Sequence, residues 1–272
     1  MTVKPFLKYA GGKRQLINVI SKYLPDNYQN YYEPFIGGGA LLFHLQPSKA
    51  IIGDINAELI NCYQVVKNSC SELINELTKH VNNKDYFEQV RSWDRDEFYI
   101  NRSSTEKASR IIYLNKTCFN GLYRVNSKGQ FNTPFGRYKN PSIADIETLN
   151  DVSDYLNKSS LEILNLDFQD CLKSATENDF VYLDPPYDII SSTANFTAYN
   201  QKGFNKSEHN RLKLTVDRLT AIGCKVLVSN ACTEFITELY RDYQQIEVKA
   251  KRAINCKANK RGDLAEILIK NY

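Results

Sequence analysis

The sequence has no apolar run long enough to suggest a membrane span, and its mean hydropathy of −0.46 excludes a membrane protein. Its amino terminus, MTVKPFLKYAGGKRQL, carries no long apolar stretch ahead of the first Gly and Lys cluster, so no signal peptide is read and the mature chain is expected to start at Met1. Histidine is scarce. His44, His80 and His209 are scattered, with no carboxylate or Cys at ligand spacing, so no metal site is expected. The seven cysteines include no CxxC pair, which argues against a zinc ribbon or a disulfide framework and suits reduced thiols in a cytoplasm. Also absent are the GxGxxG dinucleotide fingerprint, since Leu42 takes its third glycine position, and any GK[ST] that would complete a P-loop. NAD and ATP are disfavoured accordingly.

What is present is the composition of an ordinary globular chain, 42% hydrophobic and 24% charged. Its 272 residues suit one large domain or a domain with a sizeable insert. No internal repeat or low-complexity tract is visible. The net charge of +4 is small but unevenly spread: from Arg91 to Lys139 ten Lys or Arg face four Asp or Glu, leaving the remainder slightly acidic. Tyr113, Phe119, Tyr123, Phe131, Phe135 and Tyr138 are interleaved with those bases, a mixture that suits a phosphate backbone flanked by stackable bases, although basic faces are also often merely solvated. A second basic run, Lys249 to Arg261, reads equally as a solvated loop or a DNA contact.

Apolar spacing predicts a first helix over 14–24, stopped by Pro25. YYEPFIGGGALLFHL and KAIIGDINAELINCYQVV then read as strand, glycine loop, helix, strand and helix. LEILNLD, DFVYLDPPY, SEHNRLKLTVDRLTAIG and KVLVSN resume the alternation, with Gly223 at a helix end, so an α/β fold is expected, with a mostly parallel sheet and helices on both faces. Residues 57–150 break the alternation with amphipathic helices and a turn-rich stretch, and read as a largely helical insert between 1–56 and 151–272.

Two constellations carry chemistry. In Glu33-Pro34-Phe35-Ile36-Gly37-Gly38-Gly39 a glycine loop after a strand lets the backbone approach a ligand, and Asp54, about fifteen residues later at the next strand end, is placed to accept from both ribose hydroxyls. Together they fit a nucleoside cofactor without a pyrophosphate; singly, such features are commonly a turn and a helix cap. In Asp184-Pro185-Pro186-Tyr187 two prolines hold the chain extended, leaving the Asp184 carboxylate and the Pro185 carbonyl as fixed acceptors. Two acceptors aimed at an exocyclic amine favour the pyramidal, partly positive nitrogen that forms as it attacks a methyl group. Tyr187 offers a flat face for a base removed from its stack, though a bare DPPY also occurs as a simple proline turn.

The ordered motifs PFLKYAGGK (5–13), EPF with its glycine loop, GDIN (53–56), NGLYR (120–124), FNTPFGRYKNP (131–141), DPPY and TANFTAY (193–199) resemble the Dam type of DNA adenine-N6 methyltransferase, the D12 class that methylates GATC. The resemblance spans nearly the whole chain. It implies a Rossmann-like methyltransferase sheet, S-adenosylmethionine as cofactor, double-stranded DNA as substrate and residues 57–150 as the target recognition insert. Tyr9, Lys13, Glu33, Phe35, Gly37, Gly39, Asp54 and Asp184 are assigned to the cofactor by that similarity, with Asp167 and Phe168 bordering its adenine. Catalysis is assigned to Asp184, Pro185 and Tyr187, a guanine contact to Arg124, space near a flipped base to Phe119 and Asn120, and phosphate or flank contacts to Lys8, Arg137 and Lys139. Tyr9 and Phe119 stand where some members carry another aromatic. No Pro-Cys pair exists to supply the nucleophile of carbon-5 cytosine methylation. Two rival readings are an amino methyltransferase acting on cytosine N4 or RNA and a DNA-binding module that has lost catalysis. A monomer is expected, for which a cognate restriction endonuclease would be a genetic rather than a physical partner.

Overall fold

Five short, largely apolar runs form the parallel part of the sheet in the computed structural model, which describes residues 3–9, 13, 16–188, 204–250 and 264–272. The TANFTAY segment, Gly11, Gly12 and most of the 249–261 basic run lie outside these residues. In chain order the elements are α1 (Ile17–Ile20), β1 (Tyr31–Glu33), α2 (Ala40–Leu45), β2 (Lys49–Gly53), α3 (Ala57–Asn68), α4 (Cys70–Thr78), α5 (Lys84–Ser92), α6 (Ser104–Thr117), α7 (Ile146–Lys158), β3 (Ser160–Leu164), α8 (Phe168–Cys171), β4 (Phe180–Leu183), α9 (Lys206–Ala221), β5 (Lys225–Ala231), α10 (Glu234–Leu239), β6 (Gln244–Ala250) and β7 (Leu264–Lys270). The sheet order is β3-β2-β1-β4-β5-β7-β6.

Strands β3, β2, β1, β4 and β5 run parallel, with Tyr31 registered between Ala50 and Phe180. Every residue of β1 and β4 is buried, as expected of central strands covered on both faces. Period-2 alternation then divides the core. Tyr31, Ile52 and Tyr182 join the apolar cluster that continues through α3, α4, α5 and α6 to Tyr123 and Phe131, whereas Tyr32, Val181 and Leu183 pack with Leu212, Val216 and Leu219 of α9. Helix α9 ends as the sequence suggests, with Gly223 in the left-handed region at φ 85°.

Two features differ from the sequence reading. The described part of the first helix is α-helical only over Ile17–Ile20 and tightens to a 3-10 turn at Ser21–Tyr23, because Leu24 precedes Pro25 and is driven extended (ψ 148°). The carboxyl-terminal strands β6 and β7 form an antiparallel pair, with β7 inserted beside β5. Their sequences, QQIEVKA and LAEILIK, flank the basic run and mix charge into apolar alternation, which hid them from a search for buried parallel strands.

Candidate active site

Strand order reverses between β1 and β4, where connections leave to opposite sides and open a crevice at the carboxyl edge of the sheet. The chain places Glu33, Asp54 and Asp184 at or just after the ends of β1, β2 and β4 on that edge. Because β7 runs antiparallel, its early residue Glu266 lies opposite Ala231, the last residue of β5, and so reaches the same edge.

The glycine loop is shaped by close approach. Gly39 has φ 68°, and a Cβ there would stand 2.6 Å from the Tyr63 hydroxyl; at Gly37, φ 45°, it would stand 3.1 Å from the Tyr9 ring. The Gly37 N–H donates to Asp54 Oδ2 (3.2 Å) and the Asn56 N–H to Asp54 Oδ1 (2.9 Å). Asn56 in turn caps α3 through Oδ1 and donates from Nδ2 to the Tyr9 hydroxyl at 3.3 Å. Asp54, Gly37 and Tyr9 are thereby brought into one unit. Burial, offset in part by those backbone bonds, pushes the Asp54 carboxyl up to about 6. Glu33 is buried and accepts from the Tyr31 hydroxyl at 2.8 Å; burial raises it to about 8, so this acid is protonated near neutrality.

At the end of β4, Lys13 Nζ lies 2.9 Å from Asp184 Oδ1, bonds the Tyr187 hydroxyl and sits 3.8 Å from Glu266 Oε2. The Tyr187 hydroxyl is 2.7 Å from both Glu266 Oε2 and Ser229 Oγ. Burial first, then the charges of Asp184 and Glu266, holds this phenol well above its ordinary range, so it stays protonated and donates a hydrogen bond to Glu266. Asp184 is raised to about 6 by burial, against the pull of Lys13. Beyond the prolines, Asp188 is pinned by its N–H to Asn230 Oδ1 (3.1 Å) and by its carboxylate to Thr233 Oγ1 (2.7 Å). Ser229, Asn230 and Glu266 were not anticipated from the sequence; the one signal was an acid inside an otherwise apolar strand.

Phe35 and Phe168 stack with centroids 5.4 Å apart, and Phe204 meets Phe35 edge-on. Asp167 behaves differently from the site carboxylates. It caps α8 and receives Arg211 through both oxygens, at 2.8 and 2.7 Å. Although burial works the other way, that pairing holds its carboxyl below the usual range.

The proposed DNA-facing residues lie on a separate exposed surface: Lys8, Phe119, Asn120, Arg124, Arg137 and Lys139 are all exposed. Asn115 ties Lys8 to the NGL turn, accepting from the Lys8 N–H (2.9 Å) and donating to the Lys8 and Gly121 carbonyls (2.7 and 3.0 Å). Asn120 adopts a left-handed φ of 56°, which an asparagine tolerates and which exposes its side chain beside Phe119. Buried Tyr123 stacks beneath Tyr9, linking this surface to the glycine loop. Arg124 donates from Nε to Asn132 Oδ1 (2.7 Å) and from an Nη to the Asn132 carbonyl (3.2 Å) across a short hairpin.

Sheet order and crevice together are consistent with a Rossmann-like methyltransferase, an α/β fold with helices around a mixed seven-stranded sheet. The chain belongs to the D12 class of N6 adenine-specific DNA methyltransferases, whose family model matches residues 9–254. It is 45% identical to the type II methyltransferase M1.LlaDCHI of Lactococcus lactis subsp. cremoris, over 100% of this chain and 96% of that protein. It is 42% identical to the type II methyltransferase M.MjaIII of Methanocaldococcus jannaschii, over all of both chains, and 32% identical to the DNA adenine methylase of Escherichia coli K12, over 97% and 94%. The protein is thus an adenine-specific DNA methyltransferase. Among the described residues no helix is long and apolar enough to cross a membrane, and no three His, Cys, Asp or Glu gather as a metal site.

Proposed function

We propose that this enzyme transfers a methyl group from S-adenosylmethionine to N6 of an adenine flipped out of duplex DNA within GATC. The observation that carries the reading is the Lys13, Asp184 and Tyr187 cluster on an acid-Pro-Pro-Tyr turn at the switch-point crevice. The residues fit the cofactor. Asp54 is a carboxylate suited to a ribose diol, Phe35 and Phe168 are apolar rings suited to an adenine, and Asn230 Nδ2 is buried without a partner among the described residues. When bound, the cofactor supplies a methyl group carried on positively charged sulfur.

Asp184 and the Pro185 carbonyl then hold the two hydrogens of the adenine amine, and Asp184 takes up the proton that the methylated nitrogen sheds. Tyr187 supplies a face for the extruded base. Because the charged Asp184 is the working form and its carboxyl is raised to about 6, activity is lost as pH falls through that value. A kcat/KM series from acid to neutral pH should show an acid limb near 6; a flat profile through that range would contradict the role.

Residues 57–150 are our proposed recognition segment. Arg124 commits Nε and one Nη to Asn132, and three of its five donors remain to meet guanine O6 and N7. Arg124→Ala should reduce discrimination against a substituted guanine by about 1 to 3 kcal/mol. Lys139→Ala, removing a phosphate contact, should weaken binding to all sequences alike and lower the log-log salt slope by about one. Rates on altered duplexes across a salt series separate the two; equal slowing of all substrates by Arg124→Ala would make it a backbone contact.

The six described cysteines are unpaired thiols, which suits a reducing cytoplasm, the enzyme is read as a monomer, and the type II names of two relatives favour a restriction-modification setting with a cognate endonuclease as genetic partner. Labelled methyl transfer to duplexes with and without GATC tests the whole reading. Incorporation confined to GATC is expected, and equal incorporation into a GATC-free duplex would overturn the specificity.

A further inference from the structure

The Tyr187 ring follows two prolines that restrict the chain leading into it, and the position of the ring is held from its far end. Three groups meet its far end. The hydroxyl accepts from Lys13 and Ser229 and donates its single proton to Glu266 Oε2 at 2.7 Å. Ser229 and Glu266 are contributed by β5 and β7, strands packed side by side in the sheet, so the anchor is as rigid as the sheet itself. A carboxylate acceptor makes this a charge-assisted bond, stronger than one to a neutral oxygen.

Stability does not explain that choice. Glu266 is a second carboxylate beside Asp184, Lys13 is the one cation paired with both among the described residues, and the Glu266 side chain is just 18% exposed. A partly buried surplus charge is costly, and a neutral acceptor would satisfy the phenol without it. The surplus sits instead at the turn that carries the proposed chemistry.

We infer that Glu266 is a positioning residue for methyl transfer, its carboxylate fixing the Tyr187 ring beside the Asp184 acceptor. The inference rests on the reading above that Asp184 and Tyr187 act on the base. It makes Glu266 act on turnover through its bond to Tyr187 rather than through its 3.8 Å ion pair with Lys13, and so predicts how its loss combines with loss of the Tyr187 hydroxyl.

The test is a double-mutant cycle with labelled S-adenosylmethionine and unmethylated bacterial genomic DNA, which contains every short recognition sequence. Glu266→Ala should lower kcat by about 10-fold to 10²-fold, the scale of a misplaced reacting group, with the KM for cofactor changed less than about threefold. Glu266→Gln should recover only part of kcat, because its amide oxygen still accepts the phenol proton but without the charge assistance of the carboxylate. Tyr187→Phe, which removes all three bonds to the hydroxyl, should lose at least as much as Glu266→Ala, and adding Glu266→Ala to Tyr187→Phe should cost nothing more. Additive losses, a Glu266→Ala enzyme with normal kcat, or no recovery in Glu266→Gln would each overturn the inference. Should Glu266→Ala fail to fold, Tyr187→Phe and Glu266→Gln decide together: full kcat in either would overturn the inference, and a smaller loss in Glu266→Gln than in Tyr187→Phe supports it. Asp184→Ala run in parallel separates the two levels. An active Asp184→Ala enzyme removes the site reading itself, whereas an inactive one with an additive cycle removes only the role of Glu266.

Discussion

Asp184→Ala is expected to lower methylation by at least about 10²- to 10³-fold, the usual effect of removing one preorganised polar group aimed at developing charge. Its carboxylate stands at the end of β4, where Pro185 and Pro186 hold the following chain extended, and Lys13 fixes Oδ1 at 2.9 Å. Loss of the side chain does not strand Lys13, because Glu266 remains 3.8 Å away and the Tyr187 hydroxyl still accepts from it. The variant should therefore fold and bind DNA at saturating cofactor while failing in turnover. Near-normal turnover with intact DNA binding would show that another group accepts the amine hydrogens.

Asp54→Ala should weaken S-adenosylmethionine binding by about 1.5 to 3 kcal/mol, as expected for charge-assisted bonds to the ribose hydroxyls. The Asp54 oxygens receive backbone N–H groups of Asn56, Gly37 and Ile55 and retain a lone pair for a ligand. Removing the carboxylate also releases the Gly37 N–H, so part of the loss comes from a looser glycine loop. Turnover at saturating cofactor should fall much less. Calorimetry gives the dissociation constant directly, and an unchanged value would reduce Asp54 to a turn-forming residue.

The strand ends were legible because parallel strands of this kind are short apolar runs closed by Gly, Pro or Asp, a signal local to each motif. Glu33, Asp54 and Asp184 could thus be placed on one sheet edge from sequence alternation alone. Pairings across long sequence distances were not legible. Nothing in PFLKY reveals that Tyr9 stacks on Tyr123, or that Asn115 ties the Lys8 backbone to the NGL turn. Asp167 reads as a strand-end acid like Asp54, and only the fold shows both its oxygens taken by Arg211 from α9. Glu266 was hidden for a topological reason: an antiparallel strand brings its beginning, not its end, to the edge where parallel strands finish.

Methyl transfer to adenine N6 through Asp184 can be read directly from the product. The most direct measurement is nucleoside analysis by mass spectrometry of unmethylated GATC-containing duplex after incubation with S-adenosylmethionine and either the unaltered enzyme or Asp184→Ala. N6-methyladenine at GATC is expected from the unaltered enzyme, with almost none from the variant. N4-methylcytosine in place of N6-methyladenine, or equal N6-methyladenine from both proteins, would contradict it.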